Sequence, residues 1–218
     1  MPRTVLLTGF EPFDGESINP SWEAVSALDG ARVAGGLVHA RRLPCLFGDS
    51  LRVLRAEMRA LRPDLIICVG QAGGRAGVTP ERIAINLDDA RIADNAGRKR
   101  IDAPVVRGGP AAYWSTLPVK AIVAAIRGKE IPAEVSQTAG TFVCNHVFYG
   151  LMHALARSRR RPQPRGGFMH LPYLPEQTRD KKGKPSLSLE RMIDALRLAV
   201  AVSLKQRADL TVAAGPSH

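Results

Sequence analysis

The stretch Asp64–Gly70 (DLIICVG) decides the fold class of this chain. Its centre is fully apolar and it is bounded by a charge and a glycine, a pattern typical of a strand buried in a parallel sheet. The segment before it, Phe47–Leu61, has apolar residues at helical spacing and is stopped by Pro63. A helix that leads into a buried strand predicts an α/β unit.

The same alternation continues in both directions along the chain. Further strands are predicted at Thr4–Phe10, Leu37–Leu43, Glu81–Leu87, Ala133–Gln137 and Gly167–Pro172. Further helices are predicted at Ser21–Leu28 and Leu117–Ile126, after Ser188, and after the stretch Ala139–His146, where apolar residues from Val147 to Leu155 recur at helical spacing through Ala156. We therefore expect an α/β fold: a single domain over residues 1–208, with three α/β/α layers and a twisted, mostly parallel mixed sheet. Residues 209–218 are expected to form a flexible tail.

Composition narrows the class of protein. Of the 218 residues, 45% are apolar and 23% charged, as in an ordinary globular protein. No apolar run approaches the roughly 18 residues of a membrane span, and the first residues resemble a strand more than a signal peptide. The three cysteines have no paired spacing, so a disulfide framework is not expected. These features predict a reduced, cytoplasmic protein without membrane association.

The net charge of +11 is the least typical property of the composition. Five arginines fall within Arg157–Arg165 (RSRRRPQPR), which could contact nucleic acid or an acidic partner. No aromatic residue is interleaved with them to stack on bases. We expect a solvated loop and no specific nucleic acid, although a basic nucleic-acid-binding protein stays open as the less favoured alternative.

The segment Thr141–His146 (TFVCNH) carries the first candidate for chemistry. Cys144 would lie in the first turn of a helix, where unpaired N–H groups and the helix dipole favour an anion. That placement lowers the pKa of a thiol and makes it a nucleophile. At this point the residues leave a second interpretation open, in which Cys144 is a small buried apolar residue.

A metal site is the weaker alternative for this segment. Zinc would use Cys144, His146 and His153, but their spacing matches no usual structural zinc motif. We expect no metal and no cofactor.

A cysteine nucleophile needs a base and a group that orients the base. His170 ends a predicted strand, and ligands bind beyond the carboxyl ends of parallel strands. Among the carboxylates Glu81, Asp88 and Asp89, Glu81 is preferred because it begins a strand beside the glycine-rich loop 71–77. Spacing alone leaves a cysteine hydrolase unproven.

Six blocks of sequence add a resemblance. They are LLTGFEPFDGESINPSWEAV from Leu6, GQAGGR from Gly70, ERIAINLDDARIADN from Glu81, GGPAAYWSTLPVKAIV from Gly108, SQTAGTFVCNHVFYGLMH from Ser136 and GGFMHLPYLPEQ from Gly166. Together they extend over most of residues 4–177. With these blocks the chain resembles the type I, cysteine-dependent pyroglutamyl peptidases, also called pyrrolidone carboxyl peptidases.

The resemblance implies an activity and a set of site residues. Cys144 is implied as nucleophile, His170 as base and Glu81 as the orienting carboxylate, with Arg91 helping to polarise the substrate carbonyl. The implied pocket residues for the pyroglutamyl ring are Phe10, Phe13, Asn19, Gln71 and Phe142. The implied substrates are peptides with an N-terminal pyroglutamate, and the implied assembly is a homotetramer. Another cysteine amidohydrolase remains the alternative.

One position departs from the family pattern. Ala93 stands where the family often has proline, which is expected to loosen the loop that positions Arg91. The family does not explain the positive charge.

Overall fold

The computed structural model describes residues 3–214, which form eight strands and five helices. The strands are β1 (Arg3–Phe10), β2 (Arg32–Val33), β3 (Gly36–Leu43), β4 (Leu65–Gln71), β5 (Thr79–Pro80), β6 (Ile83–Ile85), β7 (Ala112–Trp114) and β8 (Arg165–Leu171). The helices are α1 (Pro20–Ser26), α2 (Asp49–Leu61), α3 (Val119–Arg127), α4 (Val143–Ala156) and α5 (Leu189–Lys205), with a short 3₁₀ turn at Pro175–Thr178.

The central sheet has the strand order β2-β3-β1-β4-β8-β5. The four inner strands β3, β1, β4 and β8 are parallel, while the short edge strands β2 and β5 are antiparallel to their neighbours. The sheet is thus mixed and mostly parallel, as predicted. The carboxyl ends of β4 and β8 lie side by side, which is where such sheets place their ligands.

Helices cover both faces of this sheet. Alternate residues of β4 point to opposite sides: Leu65, Ile67 and Val69 join a core under α1, α3 and α5, while Ile66 and Cys68 join a core under α2 and α4. The three-layer α/β/α prediction is confirmed. Within residues 3–214, none of the helices combines the length and the apolar character required to cross a bilayer.

Two predicted strands are wrong in extent. From Glu81 to Leu87 the chain forms only the three residues of β6, which pair with β7 in a separate two-stranded sheet. The segment from Ala133 to Gln137 forms single bridges at Ala133 and Ser136 instead of a strand. Its hydrogen bonds to residues 78–82 skip one rung, because that rung requires an N–H at Pro80 and proline has none.

The segment after α5 makes several polar contacts. The carboxylate of Asp209 accepts from the backbone N–H groups of Lys120 and Ala121, at the start of α3, and Arg82 donates to the carbonyl of Ala214. Residues 209–214 were predicted to belong to a flexible tail, whereas residues 215–218 lie outside the described part of the chain. The boundary between domain and tail stays a prediction.

Candidate active site

Cys144 lies in the first turn of α4, where the sequence predicts it. Its Sγ atom is 2.8 Å from the point that a Cβ atom on Gly70 would occupy. Real Cβ contacts are not this short, so the thiol occupies space that exists only because residue 70 has no side chain. Gly70 is the next-to-last residue of β4, and this contact places the thiol over the carboxyl edge of the sheet.

His170 lies on the neighbouring strand at the same level. In the register of β4 and β8, Gly70 is the direct partner of His170. Paired residues of adjacent strands are about 4.8 Å apart and their side chains point to the same face. The structure therefore brings the Cys144 thiol and the His170 imidazole to one face and one level of the sheet.

Glu81 orients the imidazole from the other side. Its Oε1 atom is 2.7 Å from Nδ1 of His170, and the two side chains are 0% and 5% exposed. The backbone N–H of Glu81 donates to the carbonyl of Phe168, which fixes the residue against β8. Because the carboxylate accepts at Nδ1, the proton of a neutral imidazole resides there, and Nε2 is left as the basic nitrogen.

Burial and charge set the protonation of these groups. Burial alone would raise the pKa of Glu81, but the hydrogen bond and charge of His170, together with the charge of Arg75, outweigh it, so the pKa is lowered and the group is a carboxylate. Burial, together with the charge of Arg75, lowers the pKa of His170 by more than Glu81 raises it, so the imidazole is neutral near pH 7.

The thiol differs from its prediction. The sequence predicts a lowered pKa at the helix start, whereas burial, followed by the negative charge of Glu81, raises the pKa of Cys144 to about 12. The positive charge of Arg75 acts in the opposite direction without compensating. With this raised pKa, the resting site holds a neutral thiol beside a neutral imidazole.

Arg75 is the contact that the sequence analysis missed. Its guanidinium donates to Oε1 of Glu81 at 2.6 Å, to the hydroxyl of Thr79 at 2.5 Å and to the carbonyl of Thr138 at 2.9 Å. The signal available in the sequence was an arginine inside the glycine-rich loop, six residues before the expected carboxylate.

Arg91 lies on the surface of the molecule. Its side chain is exposed, and no ion pair or hydrogen bond of it is found within residues 3–214. Its loop is nevertheless fixed close to the nucleophile: Asp89 donates its N–H to the carbonyl of Thr141, and the hydroxyl of Thr141 donates to the carbonyl of Asp89. Ala93 is exposed on the same loop. The role of Arg91 stays a prediction.

The three phenylalanines of the expected pocket have different surroundings. The rings of Phe13 and Phe142 are 6.0 Å apart, and both are partly buried. Phe47 packs edge-on against Phe142 with ring centroids 5.5 Å apart. Phe10 is buried in the core, 6.4 Å from the ring of Phe168. Phe13 and Phe142 therefore retain surface for a ligand, while Phe10 has almost none, and the contact of all three with substrate stays a prediction.

The two amides of the expected pocket are linked to surrounding loops. The side-chain carbonyl of Gln71 accepts from the amide of Gln177 at 3.0 Å, which also donates to the loop before α1 at Glu16. Asn19 caps α1: its Oδ1 accepts from the N–H and the hydroxyl of Ser21, and its amide donates to the carbonyl of Glu11. Both are buried, and their contact with substrate stays a prediction.

His146 has a structural environment. Its Nδ1 is 2.9 Å from Oδ2 of Asp88, and its Nε2 accepts from the N–H of Gly48 at 3.0 Å. Both ring nitrogens are therefore in use, and His146 cannot serve Cys144 as base or hold zinc without breaking these bonds.

Comparison with known proteins identifies the family. A family model described as pyroglutamyl peptidase matches residues 3–206. The chain belongs to the pyroglutamyl peptidase family. It is 59% identical to the pyrrolidone-carboxylate peptidase of Erwinia tasmaniensis, over 99% of this chain and all of that protein, and 58% identical to the one of Cupriavidus necator.

Solved structures agree with this membership. Pyroglutamyl peptidase I of Bacillus amyloliquefaciens superposes with a TM-score of 0.93 at 51% identity, covering 98% of this chain and all of that one. A mutant pyrrolidone carboxyl peptidase of Pyrococcus furiosus gives 0.89 at 43% identity, covering 93% and 98%. The family resemblance, the α/β fold and the assignment to the peptidases, a class of hydrolases, are confirmed.

Proposed function

We propose that the chain removes N-terminal pyroglutamyl residues from peptides, with Cys144 as nucleophile, His170 as base and Glu81 as the orienting carboxylate. The observation that carries this proposal is the convergence at one sheet edge. The thiol lies over Gly70, and the strand partner of Gly70 is the histidine that Glu81 holds at 2.7 Å.

The substrate ring fits the character of the surrounding residues. A pyroglutamyl ring is flat and neutral, with one N–H donor and one C=O acceptor. Phe13 and Phe142 offer partly exposed aromatic faces for it, and the amide of Gln71 offers polar atoms for the lactam edge. A site that pairs these lactam atoms discriminates strongly against rings that lack them.

The first chemical step follows from the neutral resting pair. Nε2 of His170 takes the thiol proton as Sγ of Cys144 attacks the pyroglutamyl carbonyl, so the thiolate forms only during the attack. The imidazolium that results is stabilised by Glu81, which stays ionised and accepts the hydrogen bond from Nδ1 of His170. The carbonyl oxygen becomes an oxyanion.

The start of α4 provides donors for that oxyanion. The N-cap residue Phe142 has no side-chain acceptor, and within the described residues no side chain caps this end. The N–H groups of the first turn are therefore available beside the nucleophile. Preorganised N–H donors of this kind stabilise a tetrahedral oxyanion by several kcal/mol. Arg91, on the loop fixed to Thr141, is proposed to add positive charge.

Collapse of the intermediate completes the cycle. The imidazolium gives its proton to the departing amine, the C–N bond breaks, and a thioester remains on Cys144. Water, deprotonated by His170, then hydrolyses the thioester, releases pyroglutamate and restores the thiol.

We also propose that the protein acts in the cytoplasm as a homotetramer. Trp114, on β7, is 67% exposed and Ile101 is 57% exposed, which is apolar surface that an interface would cover. Sedimentation equilibrium at several protein concentrations tests this; a monomer at all of them would contradict it.

The decisive assay is hydrolysis of a pyroglutamyl amide with a chromogenic amine. We expect turnover by the wild type, inactivation by iodoacetamide, and no turnover by Cys144→Ala. The matched control is Cys68→Ala, since Cys68 is buried inside β4 and takes no part in the proposed chemistry.

Each alternative function predicts a different result of this assay. Undiminished activity in Cys144→Ala would refute the assigned nucleophile. Hydrolysis of amides that lack the pyroglutamyl ring at comparable rates would indicate another cysteine amidohydrolase instead.

A further inference from the structure

The guanidinium of Arg75 joins three parts of the site. One nitrogen, Nη1, donates both to Glu81 and to the hydroxyl of Thr79. The other, Nη2, donates to the backbone carbonyl of Thr138, six residues before Cys144. A planar guanidinium fixes such partners relative to one another, because its N–H groups have a rigid fork geometry.

The negative charge of Glu81 needs partners because it is buried. Its side chain is fully buried, and a buried carboxylate is stable only when it is paired. Oε1 accepts from both His170 and Arg75, whereas Oε2 has no hydrogen-bond partner in the described part of the chain. His170 and Arg75 therefore both stabilise the charge at a single oxygen, and the Ser136 side chain also lowers the pKa of Glu81.

The two donors are not equivalent during catalysis. His170 gains and loses a proton in each turnover, so its positive charge is temporary. The guanidinium of Arg75 is always charged. When the imidazole is neutral, Arg75 supplies the remaining full positive charge that contacts Glu81.

We propose that Arg75 is a positioning residue for the reaction: it holds Glu81 ionised and aimed at Nδ1 of His170, and ties this pair to the segment that leads to Cys144. It acts through Glu81 and is not assigned any contact with substrate. The proposal rests on the function proposed above, because it concerns the same site.

The charge of Arg75 also biases the protonation of the site. The ionisable groups that face His170 are Glu81 on the segment after β5, Arg75 on the glycine-rich loop and Cys144 on α4. The positive charge of Arg75 lowers the pKa of His170 and of Cys144. The first effect keeps the base neutral and the second makes the thiol proton easier to remove, while the ionised Glu81 that Arg75 holds in place raises the pKa of the imidazole.

The test compares Arg75→Met and Arg75→Lys with the wild type across pH. Methionine keeps much of the length and removes the charge, while lysine keeps the charge and loses the fork. The matched control is Arg41→Met, which removes another partly exposed arginine that pairs with a carboxylate at 2.7 Å, that of Glu57. Thermal unfolding of each variant checks that it folds.

We expect kcat/KM of Arg75→Met to fall about 10- to 100-fold, by analogy with the loss caused by removing outer partners that orient metal-ligating histidines. The acidic limb of its pH–rate profile should move to higher pH, because loss of a nearby positive charge raises the pKa of His170. Arg75→Lys should restore the position of the limb but only part of the rate. Arg41→Met should leave both unchanged.

A wild-type pH profile in Arg75→Met would overturn the proposal, and so would an equal change in Arg41→Met. If Arg75→Met does not fold, Arg75→Lys decides, since a full rate would show that the fork is dispensable. The pH dependence of iodoacetamide inactivation gives a readout that needs no pyroglutamyl substrate. Failure of the wild type to cleave the amide would count against the function, and an unshifted inactivation profile in Arg75→Met would count against Arg75.

Discussion

Replacement of Gly70 by alanine should displace the nucleophile. The new Cβ atom would lie 2.8 Å from Sγ of Cys144 and 2.9 Å from Cζ of Phe168. Favourable contacts between such atoms begin near 3.5 Å, so the sulfur must move by roughly 0.7 Å or rotate to another rotamer. A displacement near 1 Å between reacting groups costs on the order of 10²-fold in rate.

The expected loss is therefore about 100-fold in kcat/KM, equivalent to about 2.7 kcal/mol of transition-state stabilisation. Hydrolysis of a pyroglutamyl amide by Gly70→Ala measures it. The matched control is Gly36→Ala in β3, where the new Cβ would meet side-chain atoms of Leu204 and Val5 at 2.7 and 2.9 Å. That substitution should lower the melting temperature and leave kcat/KM close to the wild-type value.

The comparison separates displacement of the thiol from general destabilisation. A folded Gly70→Ala protein with wild-type kcat/KM would refute the reasoning, because it would show that the sulfur need not lie over Gly70. Equal rate losses in the two variants would refute it as well.

The other predictions concern the carboxylates. Glu81→Gln should retain more activity than Cys144→Ala. The acidic limb of its pH–rate profile should move to lower pH, because Glu81 raises the pKa of His170. A shift of this limb to higher pH, the direction expected for Arg75→Met, would contradict the prediction. Asp209→Ala should lower the free energy of unfolding by about 0.5–2 kcal/mol in urea titrations, because the carboxylate caps the start of α3. Within the described residues the N-cap residue Pro118 makes no side-chain hydrogen bond of its own there. Asp209→Asn, which retains an acceptor, is the control, and identical midpoints for all three proteins would show that the cap contributes nothing.

Periodicity predicted the elements with large buried faces. The helix that carries Cys144 and the strand that carries His170 follow from their apolar patterns, and the structure places both at one sheet edge. The strand pairing around Pro80 was not predictable from the alternation of apolar residues. The missing N–H of Pro80 interrupts the hydrogen bonds between residues 78–82 and 133–137, although the side chains still alternate. The apolar pattern of the sequence thus predicts which segments form strands and helices, whereas backbone hydrogen bonding determines where the strands end.

The electrostatics of the site needed the three-dimensional structure. A cysteine in a first helical turn predicts a lowered pKa, but the sequence does not show that the sulfur is desolvated or that Glu81 lies near it, and both raise the pKa of Cys144. The contact between Arg75 and Glu81 was hidden for a similar reason. An arginine among glycines resembles a surface residue until the loop folds back on the carboxylate.

The neutral thiol also bears on the chemical durability of the protein. Peroxides and electrophiles react with thiolates far faster than with thiols, so a raised pKa of Cys144 should slow its modification near neutral pH while the site is empty, and inactivation by iodoacetamide should become faster as the pH rises. Proton transfer to His170 activates the sulfur in the presence of a bound carbonyl. The raised pKa thus slows oxidation of the cysteine between turnovers, and damage to it should accumulate slowly in air.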